Sequence, residues 1–325
     1  FVSVQIFSQT SYSSATDGDW DSSFTWSPNG IPGANDSVTI DHDITITDAR
    51  SCASLEIPFT DPVNTLTISG SSASLTVSGT TTNGGEIVIT GGSATNPATL
   101  TCNSTLTNTG LMQINSGQRL IMDTGVGILA TGPITIKSNS NSHGSMYFTG
   151  TWSKLGASGV INYNRHVSNL STWDLISVPV SDLSINSFAT GETDLATNNS
   201  QYAIGTYTNT TAAASAGNTW LNYTTTTAPN AGNFVAAKGY QMAAKGSASG
   251  SGVGAEMTFS GLPNTGTITI SIINSETGVG TDNDPADGSR FNLVGNPYPS
   301  FISVTSFINA NTAVLGDGFQ AVYGW

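Results

Sequence analysis

The sequence predicts an all-β protein in which a right-handed parallel β-helix precedes a jelly-roll-like β-sandwich with one short helix. Short runs with every second residue apolar recur between residue 36 and about residue 161, each bounded by glycine, asparagine, serine or aspartate. The gaps between these runs are too short for crossover helices. From about residue 165 the strands are irregularly spaced and aromatic residues are scattered among them, which is typical of a sandwich.

The composition agrees with two folded domains, and it argues against nucleic acid and membranes as partners. The chain has 325 residues, enough for two cores, and only 9% of them are charged. Eight lysines and arginines against 21 aspartates and glutamates give a formal net charge of -13. We therefore expect no nucleic-acid partner. Because no stretch approaches the ~18 apolar residues of a spanning helix, we also expect no membrane insertion.

Residues 1–9, FVSVQIFSQ, are interpreted as the remnant of a signal peptide that is cleaved after Ser8 or Gln9. A plain first strand is the alternative. Export predicts a secreted or cell-surface protein. Cys52 and Cys102 fit either a disulfide in an oxidising compartment or two buried free thiols.

Residues 10–164 are expected to form the β-helix. The stretch TLTISGSSASLTVSGTTTNGGEIVIT repeats an apolar-Thr-apolar strand and a glycine corner, and stacking of such rungs would build the core. Antiparallel hairpins are the alternative. The predicted strands are DSVTI, DITIT, ASLEI, TLTISG, SLTVSG, EIVIT, ATLTC, LMQIN, RLIMD, PITIK, SMYFTG and GVINYN.

The N-terminal motif DWDSSFTWSPNGIPGANDSVTI, followed by DITIT, CASLEI and LTISGSSASLTVSG, resembles the opening of β-helical regions in large secreted proteins of Bacteroidota. It is also similar to the start of the secreted domain named for its eight glycines. This resemblance implies that Trp20 and Trp26 cap the open end of the β-helix. The first rung of a solenoid needs such a cover for its apolar edge. Stacking of these tryptophans on sugars is the alternative.

Residues 165–325 are expected to form the β-sandwich, which we expect to be truncated at its C-terminus. The predicted strands are STWDLI, SVPVSD, AKGYQMAA, EMTFSG, TITISII, FNLVG and QAVYGW. TNNSQYAIGTYTNTTAAASAGNTWLNYTTTT is interpreted as a low-complexity run, and KGSASGSGVG as a flexible loop.

The motifs NRHV, STWDLISVPV, AKGYQM, MTFSGLPNTGTITISI, RFNLVGNPYPS and VYGW resemble the domain that follows β-helical regions in Bacteroidota proteins exported by the type IX secretion system. The resemblance covers about residues 162–325 and implies an extracellular location. It also implies contact with the outer-membrane secretion machinery during export. The chain is therefore expected to be a fragment of a longer protein.

The element FNLVGNPYPS is the most specific part of that resemblance. We interpret it as a buried strand and a rigid turn that contains Gly295 and Tyr298. Pro297 and Pro299 fix their own φ and keep the turn extended. Ser300 is predicted to be the N-cap of a short helix within FISVTSFIN. These residues are expected to be structural, with Tyr298 packed against the sandwich.

Two acidic loops are candidate calcium sites. TDNDPADGSR places Asp282, Asp284 and Asp287 before a glycine, as in calcium loops, although it has one extra residue and lacks the distal glutamate. TDGDWD places three aspartates at alternate positions. Turn formation by aspartate side chains is the alternative. Calcium is the one candidate ion, and no cofactor is expected to be required.

Three functions are compatible with these features. A noncatalytic structural or adhesin-like protein would use the β-helix as a spacer and the sandwich to present or bind glycan or matrix. A polysaccharide-degrading enzyme would need paired carboxylates on the β-helix, where the acids are Asp48, Glu56, Asp61, Glu86 and Asp123. We expect no catalytic residue here, and His42 is expected to be a solvated edge residue.

The third function is a carbohydrate-binding module, because aromatic faces suit sugar rings. Aromatic residues also fill sandwich cores, which is the alternative explanation for each of them. The candidate stacking residues are Trp173, Tyr207, Trp220, Tyr223 and Tyr240.

Overall fold

The structure is a computed structural model that describes residues 9–209, 219–246, 254–273 and 291–315. It confirms the all-β fold class and contains a β-solenoid of about 6 turns. Its contacts divide the chain into two compact units, one formed by residues 1–165 and 260–266 and the other by residues 166–259 and 267–325.

The first unit contains most of the strands. They are β1 (Ser11–Ser14), β2 (Gly18–Asp19), β3 (Trp26–Ser27), β4 (Ser37–Thr39), β5 (Ile44–Ile46), β6 (Ala49–Cys52), β7 (Ser54–Ile57), β8 (Thr65–Ser69), β9 (Ser74–Val77), β10 (Thr81–Asn83), β11 (Glu86–Thr90), β12 (Thr99–Cys102), β13 (Leu106–Asn108), β14 (Leu111–Ile114), β15 (Arg119–Met122), β16 (Ile128–Ala130), β17 (Ile134–Ile136), β18 (Ser145–Tyr147), β19 (Trp152–Lys154) and β20 (Ile161–Val167).

These strands stack as three sheets that are parallel except where β1 pairs with β3, and each complete rung contributes one strand to each sheet. The first sheet runs β19-β16-β13-β10-β7-β4-β1-β3, and the third runs β18-β15-β12-β9-β6. In the second sheet, β2, β5, β8, β11, β14, β17 and β20 stack in that order. This arrangement is the predicted β-helix rather than a set of hairpins, because the strands that pair come from successive rungs and run parallel.

Stacked aliphatic side chains form the core of the solenoid. In the second sheet Ile46, Ile68, Ile89, Ile114 and Ile136 are aligned by register and are fully buried. Burying one such side chain stabilises the fold by roughly 1.5–3 kcal/mol. Because each rung places the same residue type over the last, the ladder buries apolar surface without a gap between rungs.

The first sheet contains a polar ladder in the same interior. Asn83 on β10 and Asn108 on β13 are aligned by register, and both are fully buried. The Asn83 side-chain amide donates to Oδ1 of Asn108 at 2.7 Å. It also donates to the carbonyl oxygen of Leu111 at 2.9 Å, and the Asn108 amide donates to that of Gly132 at 3.1 Å. These asparagines therefore bond to each other and to backbone carbonyl groups of the rung that follows each of them.

Glycine occupies corners where backbones approach closely. A Cβ on Gly110 would lie 1.9 Å from the carbonyl oxygen of Gly85, and one on Gly132 would lie 1.9 Å from that of Gly110. Any larger residue at these corners would separate the rungs.

The N-terminal end of the solenoid is covered by β1 and β3, which pair antiparallel. Trp20 and Trp26 are each 1% exposed, and their ring centroids lie 5.0 Å apart in an edge-to-face contact. The Trp26 indole N–H donates to the Trp20 carbonyl oxygen at 2.8 Å. Both rings thus lie inside the end of the solenoid, as capping requires, and they present no face for a sugar.

The elements of the second unit are β21 (Asp174–Ile176), β22 (Val180–Ser181), α1 (Ile185–Gly191), β23 (Thr197–Asn198), β24 (Gln201–Tyr207), β25 (Trp220–Thr224), β26 (Tyr240–Met242) and α2 (Val304–Ala310), while β27 (Ala255–Pro263) has residues in both units. Strands β21, β26, β24 and β23 form an antiparallel sheet in that order, and β25 pairs with β24. An aromatic cluster fills the core of the second unit. Phe188 of α1 stacks on Phe259 with centroids 4.6 Å apart, and Phe234 contacts both rings.

Several details of this unit differ from the predictions. The predicted low-complexity run contains β23, β24 and β25, because backbone pairing orders its Thr- and Asn-rich segments. TITISII is not a strand in the described residues. Two short helices are described where one was predicted, and α1 begins after Ser184, whose hydroxyl accepts from the Ser187 N–H. The predicted strand QAVYGW and loop KGSASGSGVG lie largely outside the described residues, as do residues 1–8 of the signal-peptide remnant.

The FNLVGNPYPS element is an extended segment rather than a buried strand. It pairs antiparallel with the residues before β26 through a bridge between Lys238 and Val294, and Phe291 is 45% exposed. Pro297 and Pro299 are buried, and Tyr298 is half-buried. The Tyr298 N–H donates to the Asn296 side chain at 3.0 Å, which closes the predicted turn.

The helix after this turn begins later than predicted. Ser300 is not its N-cap, because α2 begins at Val304 and the Ser303 hydroxyl accepts from the Ser306 N–H at 3.2 Å. Both serines precede an apolar run, so sequence alone does not distinguish them. Phe301 and Val304 are exposed in the described part of this unit.

Candidate functional site

His42 and the aspartates around it have structural partners. The His42 Nδ1 lies 2.9 Å from the Ser14 carbonyl oxygen and 3.3 Å from the Ser14 hydroxyl. A hydrogen on Nδ1 satisfies the carbonyl, so this nitrogen cannot also act as the base that activates the hydroxyl. Ser14 is buried, and its hydroxyl accepts from the Asp41 N–H at 2.7 Å. The pair is therefore not arranged for nucleophilic catalysis.

The N-terminal aspartates bind backbone groups between rungs. Asp17 accepts from the Asp43 N–H at 3.0 Å, and Asp43 accepts from the Thr65 N–H at 2.8 Å. Asp21 lies 3.5 Å from Arg50. Within the described residues, no group of three or more His, Cys, Asp or Glu side chains could hold a metal ion. The candidate calcium ligands Asp282, Asp284 and Asp287 lie outside the described residues.

The described strands place three of the solenoid acids apart from one another or with an ionic partner. Glu56 lies on β7 of the first sheet, and Glu86 lies on β11 of the second. Asp48 is paired with Arg50. A glycosidase needs two carboxylates that flank one bond, and these acids lie on different sheets or have an ionic partner.

The two cysteines are free and buried in the third sheet. Register aligns Cys52 with Val77 and Val77 with Cys102, so the thiols are separated by two strand spacings, or about 10 Å. Disulfide geometry does not reach this far. Burial raises the pKa of Cys52 to about 12 and that of Cys102 to about 11. Both are therefore unreactive core residues.

The candidate stacking residues of the second unit lie on opposite faces of its antiparallel sheet. Tyr240 is 1% exposed, its hydroxyl accepts from the Val235 N–H at 2.9 Å, and burial raises its pKa to about 12. The Tyr240 ring therefore belongs to the core of this unit. Tyr223 is two residues from Leu221 on β25 and shares the face of Tyr240; burial raises its pKa too.

Trp173, Tyr207 and Trp220 belong to the other face. Register places Trp220 opposite Tyr207, and their ring centroids lie 4.9 Å apart. Trp173 packs against the buried cluster of Ala196, Ala203 and Ala243. Trp173 is partly exposed and Trp220 is 41% exposed.

Two amide side chains lie between these tryptophans. Asn222 on β25 is opposite Gly205 on β24, and Gly205 is opposite Gln241 on β26. The Gln241 amide donates to Oδ1 of Asn222 at 2.6 Å, across the bare backbone of Gly205. A Cβ on Gly205 would lie 2.6 Å from that Asn222 oxygen, so only glycine permits the bond. We call Trp173, Tyr207, Trp220, Asn222 and Gln241 the amide-aromatic face.

The sequence indicated the aromatic residues of this face but not its two amide residues. Gln241 alternates with core residues in YQM, and Asn222 alternates with Leu221 and Tyr223 in WLNYT, so the period of two along each strand was the available signal. The pairing of β24 with both strands was needed to bring the amides together. This face is the candidate functional site.

In the described residues, no helix is both long enough and apolar enough to cross a membrane.

Neither the curated proteins nor the solved structures contain a match to this chain. Residues 86–325, from the first residue of β11 onward, match a family described as a domain of unknown function (DUF8693). The match covers 240 of the 325 residues, and the chain belongs to this family.

Proposed function

We propose that this protein is a noncatalytic structural or adhesin-like protein that is secreted or displayed on the cell surface. The solenoid acts as a spacer, and the second unit presents or binds glycan or matrix. The resemblance to exported proteins of Bacteroidota supports this location and export through the type IX secretion machinery.

The regular stacking of the solenoid is the observation that carries the proposal. About 6 turns at ~4.8 Å each give a spacer roughly 30 Å long. Its outward positions are mostly short and polar, as at Thr65 and Thr67 of β8 and at Thr99 and Thr101 of β12. These outward side chains are short, while the aliphatic ladders hold the rungs at a fixed spacing.

This function is tested by measuring together the retention of the protein on a surface and the hydrolysis of polysaccharide. The labelled chain is incubated with insoluble polysaccharides and with matrix-coated surfaces, and both bound protein and released reducing ends are quantified. We expect retention on at least one surface and no release above that of a heat-denatured control. Sustained release of reducing ends or unsaturated products would instead establish the polysaccharide-degrading enzyme.

Location needs a separate measurement in cells that make the protein. An antibody against the solenoid should label intact cells or detect the protein in the medium. Labelling that requires permeabilised cells would contradict extracellular display.

A further inference from the structure

We propose that the amide-aromatic face binds an extended, uncharged polysaccharide chain. This inference rests on the proposed function, of which it specifies the ligand class and the binding residues. The sheet supplies a rigid support, since β24 pairs with β25 on one side and with β26 on the other. Binding residues on strands of one sheet keep fixed mutual distances.

The aromatic members of the face are held in position by the protein. Trp220 meets Tyr207 at an interplanar angle of 61°, which fixes the indole ring and leaves 41% of the residue exposed. Trp173 is held by its packing on three alanines. A ring that is already ordered loses little side-chain entropy on binding, and its apolar surface suits the C–H face of a sugar.

The amides supply the polar contacts that a sugar requires. Asn222 and Gln241 together carry four N–H donors and two carbonyl oxygens, and their mutual bond uses one donor and one acceptor. The pair can thus both donate to and accept from sugar hydroxyl groups. Its position between the two tryptophans is the usual arrangement of a ligand site, in which a few polar groups orient a ligand against apolar walls.

The spacing of the tryptophans indicates an extended ligand. Trp173 lies just before β21, in which Leu175 is opposite Gln241, and register continues through Gly205 to Asn222. Trp173 and Trp220 are therefore separated by three strand spacings across the sheet, or roughly 14 Å. This distance exceeds a single sugar ring, so a chain of several sugars is needed to contact both ends.

Charge selects among polysaccharides. The members of the face are aromatic or amide side chains, and the chain has a formal net charge of -13. An anionic polysaccharide would be repelled by this charge and would find no cation among the five members of the face. An uncharged polysaccharide is not repelled by this charge, and it needs no cation for binding.

Isothermal titration of the full chain with soluble hexasaccharides tests the inference. The uncharged probes are the hexamers of β-linked glucose, xylose, mannose and N-acetylglucosamine, and hexagalacturonate is the anionic comparator. We expect at least one uncharged hexamer to bind more tightly than hexagalacturonate. We expect Trp220→Ala and, separately, Gln241→Ala to raise its Kd by about tenfold or more.

Leu221→Ala is the matched control. Leu221 is adjacent to Trp220 on β25, is 48% exposed and belongs to the opposite face. Its substitution should leave Kd within about twofold of the wild-type value. Thermal melting of each variant establishes folding, and Gln241→Ala serves as the test if Trp220→Ala does not fold.

Three results would overturn the inference: no uncharged hexamer binds, hexagalacturonate binds most tightly, or Leu221→Ala weakens binding as much as Trp220→Ala does. Retention on matrix together with any of these results would leave the proposed function standing and remove this ligand site. Loss of both retention and extracellular location would remove the proposed function itself.

Discussion

Replacement of Asn108 by alanine should destabilise the solenoid strongly, because this buried side chain connects three rungs. It accepts from the Asn83 amide at 2.7 Å and donates to the Gly132 carbonyl oxygen at 3.1 Å. Each bond contributes about 0.5–1.5 kcal/mol, and each buried group left unpaired costs about 1–3 kcal/mol. The expected loss in the free energy of unfolding is therefore about 2–4 kcal/mol. In a unit of this size, that loss lowers Tm by roughly 5–15 °C.

Urea unfolding followed by far-UV circular dichroism measures this loss. Thr107→Ala is the matched control, since Thr107 is the preceding residue on β13 and its side chain is half-buried. This control should change the free energy of unfolding by less than about 0.5 kcal/mol. A double-mutant cycle with Asn83→Ala should give a coupling energy of about 0.5–3 kcal/mol between the two asparagines. Equal stabilities for Asn108→Ala and Thr107→Ala would refute the argument that the asparagines hold the corners.

Cys52 and Cys102 should resist a thiol reagent at pH 8 in the folded protein and should both react in denaturant, because burial keeps them protonated. Since burial raises both pKa values above the ordinary 9.0, to about 12 and about 11, the contribution of these thiols to stability should be constant below pH 9 and be lost as pH rises from 9 toward 12. Melting curves of the Cys52→Ala/Cys102→Ala variant should show a smaller decline over that window. Gly295→Ala should cost about 1–3 kcal/mol of unfolding free energy, because its Cβ would lie 2.3 Å from the Ser177 Cβ.

The controls for these predictions use the same protein. Full reaction of either thiol in the native state would contradict its burial. Gly191→Ala is the comparison for Gly295→Ala, since a Cβ there would meet no described atom within 4 Å. Adding Ser177→Gly to Gly295→Ala should restore part of the stability, and no restoration would argue against the steric cause.

The sequence predicted the second and third sheets of the solenoid well, because their strands alternate aliphatic and polar residues. Ile87 and Ile89 of β11 and Leu75 and Val77 of β9 are all inward and fully buried, as the pattern requires. In these strands the alternation of apolar and polar residues therefore predicts directly which side chains form the core.

Part of the first sheet was missed for a physical reason. Strands β10, β13 and β16 have only three residues each, and two of them turn an asparagine inward. Asn83 and Asn108 look like loop residues until the neighbouring rung supplies their hydrogen-bond partners. A pattern based on apolar residues cannot detect a strand whose buried side chain is polar.

The candidate site was only partly predictable. Aromatic content identified Trp173 and Trp220, but it also selected Tyr240, which is buried. The face on which each residue lies depends on strand register within a segment that reads as low complexity. Asn222 and Gln241 come from strands that pair with opposite sides of β24, so their bond is a property of the tertiary structure.

The direction of the hydrogen bonds between rungs determines how the solenoid would respond to mechanical force. These bonds join stacked strands and therefore lie along the stacking direction, as between β8, β11 and β14. A pull along that direction opens one rung at a time and does not shear all the strands together. Each rung of roughly 25 residues would release about 80 Å of chain. A spacer of this kind would hold its length under low load and then extend in successive steps, so that a sudden load is spread over many small ruptures.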